Sequence, residues 1–267
     1  MFLLHAFLVT KVSDMQALKS NQYLKGPNAF SPCRTCRIQG CRDPDCQGKN
    51  YYYPLRAPRQ GAVTLNGSPP CDWSARNLPL RTHDSYKKGL KYIAEGGTKT
   101  ERERRAKCHG INGESILVDL PGFDRARSVP HDYMHLLEEN IKPMLVKLWT
   151  NNFKGLDVGS GNYNIHEIIW EQIGLETFEA TKTIPAAFCR ALPNIASDKS
   201  SFTAETYSFW FQYIAPYVLE HRLAEKYYKH VLLLCEICKL CLEFSMTEED
   251  VNHLEEMIYQ WVEEYEE

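Results

Sequence analysis

The chain of 267 residues is 43% hydrophobic, 12% aromatic and 24% charged. This is ordinary usage for a globular protein, and it excludes a collagen, a low-complexity linker and a wholly disordered chain. No apolar run reaches the roughly 18 to 20 residues that a membrane-spanning helix needs, so we expect a soluble protein with no membrane partner. The length exceeds the usual ~100 to 150 residues of one domain, so two sub-domains are expected.

The net charge of -3 conceals an uneven distribution. Residues 1–130 hold 21 basic and 11 acidic residues, whereas residues 131–267 hold 10 basic and 23 acidic ones. A basic half is the usual electrostatic footprint of a protein that binds a polyanion, and it could equally dock on its own acidic half.

The first apolar segment, residues 3–12, is rich in Leu, Val, Phe and Ala and has no helix cap before it. This pattern predicts a buried strand. The segment lacks the basic start and the small-residue cleavage site of a secretory leader. Because ten cysteines without a leader indicate metal ligands or reduced thiols, we expect an intracellular protein.

A loop-rich region, residues 21–81, follows the strand and contains Cys33 and Cys36 in a Cys-x-x-Cys turn. Such a turn can present two thiolates to one zinc ion, with a further pair of ligands completing a tetrahedral structural site. That further pair is either Cys41 with Cys46, or the more distant Cys71 with His83. The alternative is a set of packed or solvent-facing thiols that bind no metal.

Residues 82–95 and 98–107 have helical composition, with Thr100 and Glu103 as a capping box and Gly110 as a C-terminal cap. Basic residues cluster on both helices, where they either contact phosphates or form a solvated face. The clustered residues are Lys87, Lys88, Lys91, Arg102, Arg104, Arg105 and Lys107.

From residue 130 onward the sequence predicts an α-helical domain, interrupted near Pro143 and Pro216. Thr247 and Asp250 predict a capping box for a last helix, and residues 248–267 include nine acidic residues and no basic one. With a strand at one end and an unfinished helix at the other, we expect a piece of a longer protein.

Three cysteines in this half, Cys235, Cys238 and Cys241, fall at i, i+3 and i+6 among Leu and Ile. Since that spacing places them on one helix face, we interpret them as buried core residues and not as metal ligands. The sequence contains neither a nucleophile elbow nor a phosphate-binding glycine loop, so it gives no support to a hydrolase or a nucleotide-binding protein.

Two further motifs are ambiguous on chemistry alone. Asp14 directly follows the predicted strand, where metal-dependent phosphoryl-transfer enzymes hold carboxylates, but an N-cap aspartate has the same pattern. Asp132 and His135 are three residues apart and can share a helix face, although Asp132 can also be a first-turn acid favoured by the helix dipole.

Seven sequence blocks together resemble the CACTA (En/Spm-type) DNA transposases, in the form common in mushroom-forming fungi, and they run in the family's order across nearly the whole chain. The blocks are SDMQA at 13–17, GPNAFSPCRTC at 26–36, YYYPL at 51–55, LPLRTH at 78–83, PHDYMH at 130–135, FKGLD at 153–157 and ASDKS at 196–200.

The resemblance implies an RNase H-like fold in which three carboxylates hold Mg²⁺ or Mn²⁺ for phosphoryl transfer on DNA. It favours Asp14 as the second carboxylate, Asp132 and His135 as the family's Asp-x-x-His signature, and Cys33 with Cys36 as its zinc pair. The first carboxylate, in a Thr-Asp-Gly block, and the final glutamate, in a Tyr-Pro-x-Glu-Arg block, have no counterpart in this sequence. We therefore expect no DNA cleavage by this chain alone.

The sequence thus predicts an α+β protein: a partial RNase H-like core at 1–20, a Cys-rich zinc-binding insertion at 21–81, a basic helical connector at 82–129 and an α-helical domain at 130–267. The expected metal ligands are Cys33, Cys36, Cys41 and Cys46. The expected partner is DNA in the nucleus, with a homo-oligomer left open and no small-molecule substrate. The competing hypothesis is a non-enzymatic, zinc-stabilised interaction module.

Overall fold

The computed structural model describes residues 6–42, 51–57, 61–65, 67, 69–153 and 161–267. Helices, turns and loops make up this part of the chain, and it contains no β-strand. Pairing of the β type is limited there to isolated bridges between single residues. These bridges join Leu24 to Ile111, Cys36 to Leu80, Cys41 to Tyr52 and Arg42 to Val63.

The predicted α+β fold with a partial RNase H-like core is therefore wrong for the described residues. Residues 6–12 of the predicted strand lie in no regular element, and residues 3–5 lie outside the described part. Phe7, Val9 and Val12 are exposed by 65%, 72% and 56%. An apolar run forms a buried strand only when neighbouring strands pair with it, and none of the described residues provides such a strand.

The α-helices follow one another along the whole described chain. They are α1 (Met15–Asn21), α2 (His83–Ala94), α3 (Lys99–His109), α4 (Lys142–Trp149), α5 (Glu167–Ala180), α6 (Ala204–Phe209), α7 (Ala215–Val218), α8 (Glu225–Cys241) and α9 (Glu248–Tyr265). Short 3-10 helices span Ala75–Asn77, Ile116–Asp119 and Lys199–Ser201, and π-helices span Met134–Ile141 and Trp210–Ile214.

The chain divides into two compact units, which meet in sequence between Asp132 and Tyr133. The first unit contains α1 to α3, with two small clusters of buried apolar side chains around Leu18 and Tyr86. The second unit contains α4 to α9 and the large apolar core, in which Trp210 and Phe211 are fully buried.

Polar caps begin the helices of the first unit. The Thr82 hydroxyl accepts from the Ser85 amide at 3.1 Å, and the Ser85 hydroxyl accepts from the Thr82 amide at 2.9 Å. Thr98 caps α3 by accepting from Glu101 N at 3.1 Å, so the predicted capping box at Thr100 and Glu103 is two residues too late. Gly110 ends α3 in the left-handed region, at φ 69°, which confirms the predicted C-terminal cap.

Both prolines expected to interrupt helices follow a π-helix. The π-helix Met134–Ile141 leads into α4 with Pro143 in its first turn, and Trp210–Ile214 leads into α7 with Pro216 in its first turn. Proline has no N–H and its ring clashes with the carbonyl four residues earlier. A widened π turn accommodates that clash, so the chain stays helical through both positions.

Two cysteines of α8, Cys235 and Cys238, lie in the core as the spacing predicted, and Cys241 is partly buried and packs against that core. Cys235 and Cys238 are 2% and 0% exposed, and Cys235 Sγ donates to the Phe211 carbonyl at 2.9 Å. Burial raises the pKa of the Cys235 thiol to about 12, so it remains protonated at neutral pH.

Candidate functional site

The Cys-x-x-Cys turn of the first unit brings its two thiols together. The backbone amides of Thr35 and Cys36 both point at Cys33 Sγ, at 3.3 Å each. Cys36 is 3% exposed, whereas Cys33 is half-buried. A sulfur surrounded by amide donors is suited to carrying negative charge, as a metal ligand or a nucleophile must.

The electrostatics of the pair are asymmetric. A hydrogen bond from the Cys36 thiol, the backbone amides of Cys36 and Thr35, and the nearby Arg81 guanidinium lower the pKa of Cys33 to about 6, against the opposing effect of burial. The same thiol hydrogen bond, together with burial, raises the pKa of Cys36. At neutral pH the pair therefore holds one thiolate, on Cys33.

Arg81 holds this turn in place. Its Nε lies 2.9 Å from both the Cys33 and Cys36 carbonyl oxygens, and its Nη2 donates to Ser31 Oγ at 3.0 Å. The Arg81 backbone amide also donates to the Thr35 carbonyl at 2.7 Å. Arg81 is 6% exposed, so these bonds replace the water that its guanidinium loses on burial.

Two more buried arginines lie close to Arg81 around one aromatic ring. The guanidinium carbons of Arg81 and Arg125 are 5.3 and 4.5 Å from the centre of the Tyr86 ring, and the Tyr86 hydroxyl donates to the Arg34 carbonyl at 2.6 Å. Arg34 and Arg125 are 6% and 4% exposed. Burial lowers the pKa of all three guanidinium groups, although each remains charged at neutral pH. Contact with the ring face partly offsets the cost of burying the Arg81 and Arg125 charges.

The structure brings His131 and Asp132 to the same turn. His131 Nε2 lies 3.1 Å from Thr35 Oγ1, and the Asp132 carboxylate acts electrostatically on the buried Arg34. Desolvation, and secondarily the Arg34 guanidinium, lower the pKa of His131 to about 4, so this ring is neutral at pH 7. We name the whole group the Cys33 centre. It comprises Cys33, Arg34, Thr35, Cys36, Arg81, Tyr86, Arg125, His131 and Asp132.

His135, the other half of the Asp-x-x-His signature, belongs to the second unit. It lies in the π-helix Met134–Ile141, where its Nε2 is 3.7 Å from Glu139 Oε2 and its carbonyl accepts from the Asn140 side chain. Glu139 and Asn140 both lie on the same π-helix as His135. A catalytic role for His135 remains a prediction.

Asp14 is the N-cap of α1. Its Oδ1 accepts from Ala17 N at 2.6 Å, and its backbone is extended, as a cap requires. The strand expected before it is absent from residues 6–12. The catalytic role expected for Asp14 also remains a prediction, since a capping oxygen does not identify a metal ligand.

No group of three His, Cys, Asp or Glu side chains among the described residues is arranged to hold a metal ion. The catalytic roles expected for Asp14, Asp132 and His135 stay predictions. For zinc, Cys33 and Cys36 supply one half of a tetrahedral set, with amide donors around a thiolate, and the described residues do not supply the other half.

The expected partners of the zinc pair have different surroundings. Cys41 is buried and its backbone pairs with Tyr52 at 2.8 Å in both directions. Cys71 is exposed, and His83 Nδ1 accepts from Arg125 N at 3.2 Å. Cys46 lies outside the described residues.

Sequence reasoning missed the three buried arginines and Tyr86. A partial signal exists, because Arg34 lies inside the Cys-x-x-Cys turn and Arg81 lies in the block LPLRTH. Arginine is rarely buried without a partner, so its burial depends on tertiary contacts that the local sequence does not reveal.

No protein-family model, curated protein or solved structure matches this chain. Within the part of the chain that the structure describes, none of the helices is both long and apolar enough to cross a membrane.

Proposed function

We propose that this chain is a transposon-derived DNA-binding protein of the CACTA (En/Spm-type) transposase kind, and that it does not cleave DNA by itself. The observation that carries the proposal is the meeting of three separate blocks of the resemblance at the Cys33 centre. The blocks 26–36 and 78–83 meet through Arg81, and the blocks 26–36 and 130–135 meet through Thr35 and His131. These blocks are distant in the sequence, yet they assemble into one polar centre. Their assembly supports a single function for the Cys33 centre.

The electrostatics of the first unit favour DNA as the partner. Its sequence carries a clear excess of Lys and Arg, and the described part of its surface exposes basic side chains on α2 and α3. Phosphate contacts of lysine and arginine supply most of the non-specific affinity of proteins for DNA. A DNA-binding protein of this kind acts in the nucleus, and we propose that location for this chain.

The absence of cleavage follows from the metal requirement of the reaction. Strand cleavage of the transposase type needs carboxylates that hold divalent ions on both sides of the scissile phosphate. The sequence offers Asp14 alone for the expected triad, and this residue caps α1. The purified chain should leave supercoiled plasmid intact in Mg²⁺ or Mn²⁺, and nicking that copurifies with the chain and disappears in Asp14→Asn would contradict this.

Zinc is the cofactor proposed for the Cys33 centre. Cys33 and Cys36 would supply two of the ligands, and the remaining ligands would come from outside the described residues, where Cys46 lies. Zinc bound there would stabilise the loop-rich part of the first unit. The Arg81 bonds to the Cys33 and Cys36 carbonyls support this role, since they fix the turn that presents both sulfurs.

A second candidate function is a zinc-stabilised interaction module without nucleic-acid binding. The feature that favours it is α9, in which Met257 and Trp261 are the buried residues while its carboxylates lie toward solvent. Such a helix could dock a basic partner. A chain that melts cooperatively with zinc but binds no DNA would support this candidate.

The locus itself tests the family proposal. Sequencing the full-length transcript and the flanking genomic DNA should reveal an upstream Thr-Asp-Gly block and a downstream Tyr-Pro-x-Glu-Arg block in frame, or decayed copies of both. Unrelated flanking sequence would contradict a transposase origin. If intact blocks are found, Asp14→Asn in the complete protein should abolish strand cleavage.

A further inference from the structure

Tyr23 has a backbone conformation that its side chain does not favour. It directly follows Gln22, the C-cap of α1, and its φ of 49° lies in the left-handed region where glycine is usual. Its side chain is 48% exposed, and its hydroxyl makes no hydrogen bond within the described residues. Neither core packing nor capping therefore accounts for a tyrosine at this position.

The Tyr23 ring lies against bare backbone. A Cβ added to Gly113 would be 3.3 Å from Tyr23 Cδ1 and 3.7 Å from its Cγ. Gly113 therefore leaves room for the ring to lie over the chain. Tyr23 is 48% exposed, so part of its ring is available as an aromatic platform on which a planar group can stack.

Three lysines from separate segments lie near one another, and two of them, Lys19 and Lys25, are four and two residues from Tyr23 in the sequence. Lys25 N donates to the Gly110 carbonyl at 2.9 Å, which places Lys25 beside Lys107 in the last turn of α3. The Lys19 side chain, in the last turn of α1, comes within 3.7 to 4.0 Å of the place a Gly26 Cβ would take. Burial and the charges of Lys107 and Lys19 lower the pKa of Lys25, with Glu103 opposing them.

None of these three ammonium groups has an ion-pair partner among the described residues. By contrast, Arg104 and Arg105 on the same helix both pair with Glu101, at 2.8 Å. A lysine near a helix C-terminus complements the helix dipole, which accounts for Lys19 on α1 and Lys107 on α3. It does not account for the closeness of the three lysines to one another. A polyanion would relieve this repulsion.

We propose that this group forms a contact site for single-stranded nucleic acid, in which an unpaired base stacks on the Tyr23 ring and the lysines bind the adjoining phosphates. We name it the Tyr23 patch, and it comprises Lys19, Tyr23, Lys25 and Lys107. The exposed ring favours single strands over duplexes, because bases inside a duplex are already stacked. The choice of nucleic acid as ligand rests on the proposed function.

Fluorescence anisotropy of the full chain with a labelled 15-nucleotide oligothymidylate, and with a duplex of equal length, tests the patch. Tyr23→Gly should bind the single strand about 5- to 150-fold more weakly than the wild type, which is the range for one lost base stack. It should bind the duplex as the wild type does. Because glycine favours positive φ, the melting temperature should stay the same or rise, and Tyr23→Phe should retain binding.

The lysines are tested by salt dependence. Replacing Lys19, Lys25 and Lys107 together by Gln should reduce the slope of log K against log salt by about 2 on the single strand, at about 0.7 per phosphate. The matched control replaces Lys226, Lys229 and Lys239 on α8, three exposed lysines of the second unit, which changes the charge of the chain equally. The control should retain most of the slope.

Each outcome has a distinct meaning. If the wild type binds the single strand but Tyr23→Gly binds it equally well, the patch is wrong and the proposed function stands. Equal losses in the two triple variants would also overturn the patch, in favour of diffuse electrostatic binding. If the wild type binds no nucleic acid at all, both proposals fail. An oligouridylate of the same length shows whether RNA or DNA is preferred.

Discussion

Lys142 and Glu138 form an ion pair inside the second unit, with Lys142 Nζ 2.8 and 2.6 Å from the two carboxylate oxygens. Their side chains are 0% and 3% exposed, and Nζ also lies 5.5 Å from the centre of the Phe211 ring. The pair joins the π-helix Met134–Ile141 to the start of α4. Each charge is therefore tolerated only in the presence of the other.

Removing the cation alone should be costly. Lys142→Met leaves Glu138 as an uncompensated buried charge and should lower the free energy of unfolding by about 3 to 5 kcal/mol. The double variant Lys142→Met/Glu138→Leu should recover much of this loss. Urea unfolding followed by circular dichroism measures both effects.

A matched control exists on α8, where Lys229 and Glu225 form an exposed pair at 3.0 Å with side chains 70% and 73% exposed. Lys229→Met should change the free energy of unfolding by less than about 1 kcal/mol. A similar loss for Lys142→Met and Lys229→Met would show that the buried pair is not a special determinant of stability.

Arg81→Lys should loosen the Cys33 centre although it preserves the charge. A lysine cannot reproduce the fork that reaches Ser31 Oγ and the Cys33 and Cys36 carbonyls, so at least one buried acceptor loses its donor, at about 1 to 3 kcal/mol. Thermal melting reports the loss, and faster alkylation of Cys36 reports the opening of the turn. Arg127→Lys, at an exposed position, should change neither.

Thiol reactivity should show the lowered pKa of Cys33. In the folded, metal-free chain, iodoacetamide labelling of Cys33 should rise with pH around a midpoint near 6, because the thiolate is the reactive form. In urea the midpoint should move to about 8.5, the ordinary value for a thiol. Mass spectrometry of the labelled peptide measures the rate, and a folded-state midpoint above 8 would contradict the described hydrogen bonding.

Gly110→Ala should destabilise the first unit by more than about 1 kcal/mol, because Gly110 has a φ of 69° and an added methyl would clash with the Ser31 carbonyl oxygen. Gly97→Ala is the control, since a Cβ there meets nothing within 4 Å. Equal melting temperatures for the two variants would exclude a tight contact between α3 and the Ser31 segment.

Local signals predicted much of the helical structure. The Gly110 cap, the helical spacing of Cys235 and Cys238, and the Thr247–Asp250 cap all follow from neighbouring residues, and the structure contains them. The interruption expected near Pro216 occurs after Val218, where α7 ends, whereas at Pro143 the chain stays helical because the turn before it widens into a π-helix.

Features that depend on distant residues were not predictable in the same way. An apolar run such as residues 6–12 becomes a strand only beside other strands, which the described residues do not provide. The assembly of the Cys33 centre depends on Arg81 and His131, which are far from Cys33 in sequence. Asp14 fits both a catalytic carboxylate and an N-cap by sequence, and the structure places it in the cap.

The zinc content of the purified full chain, measured by plasma mass spectrometry beside a chelator-dependent melting curve, is the most direct test of the Cys33 centre. We expect one zinc per chain, and a lower melting temperature of the first unit after chelation. Both features should be lost in Cys33→Ser/Cys36→Ser and kept in Cys235→Ser, a core cysteine. A chain that contains no zinc, and melts identically with and without chelator, would contradict a metal-binding role for this centre.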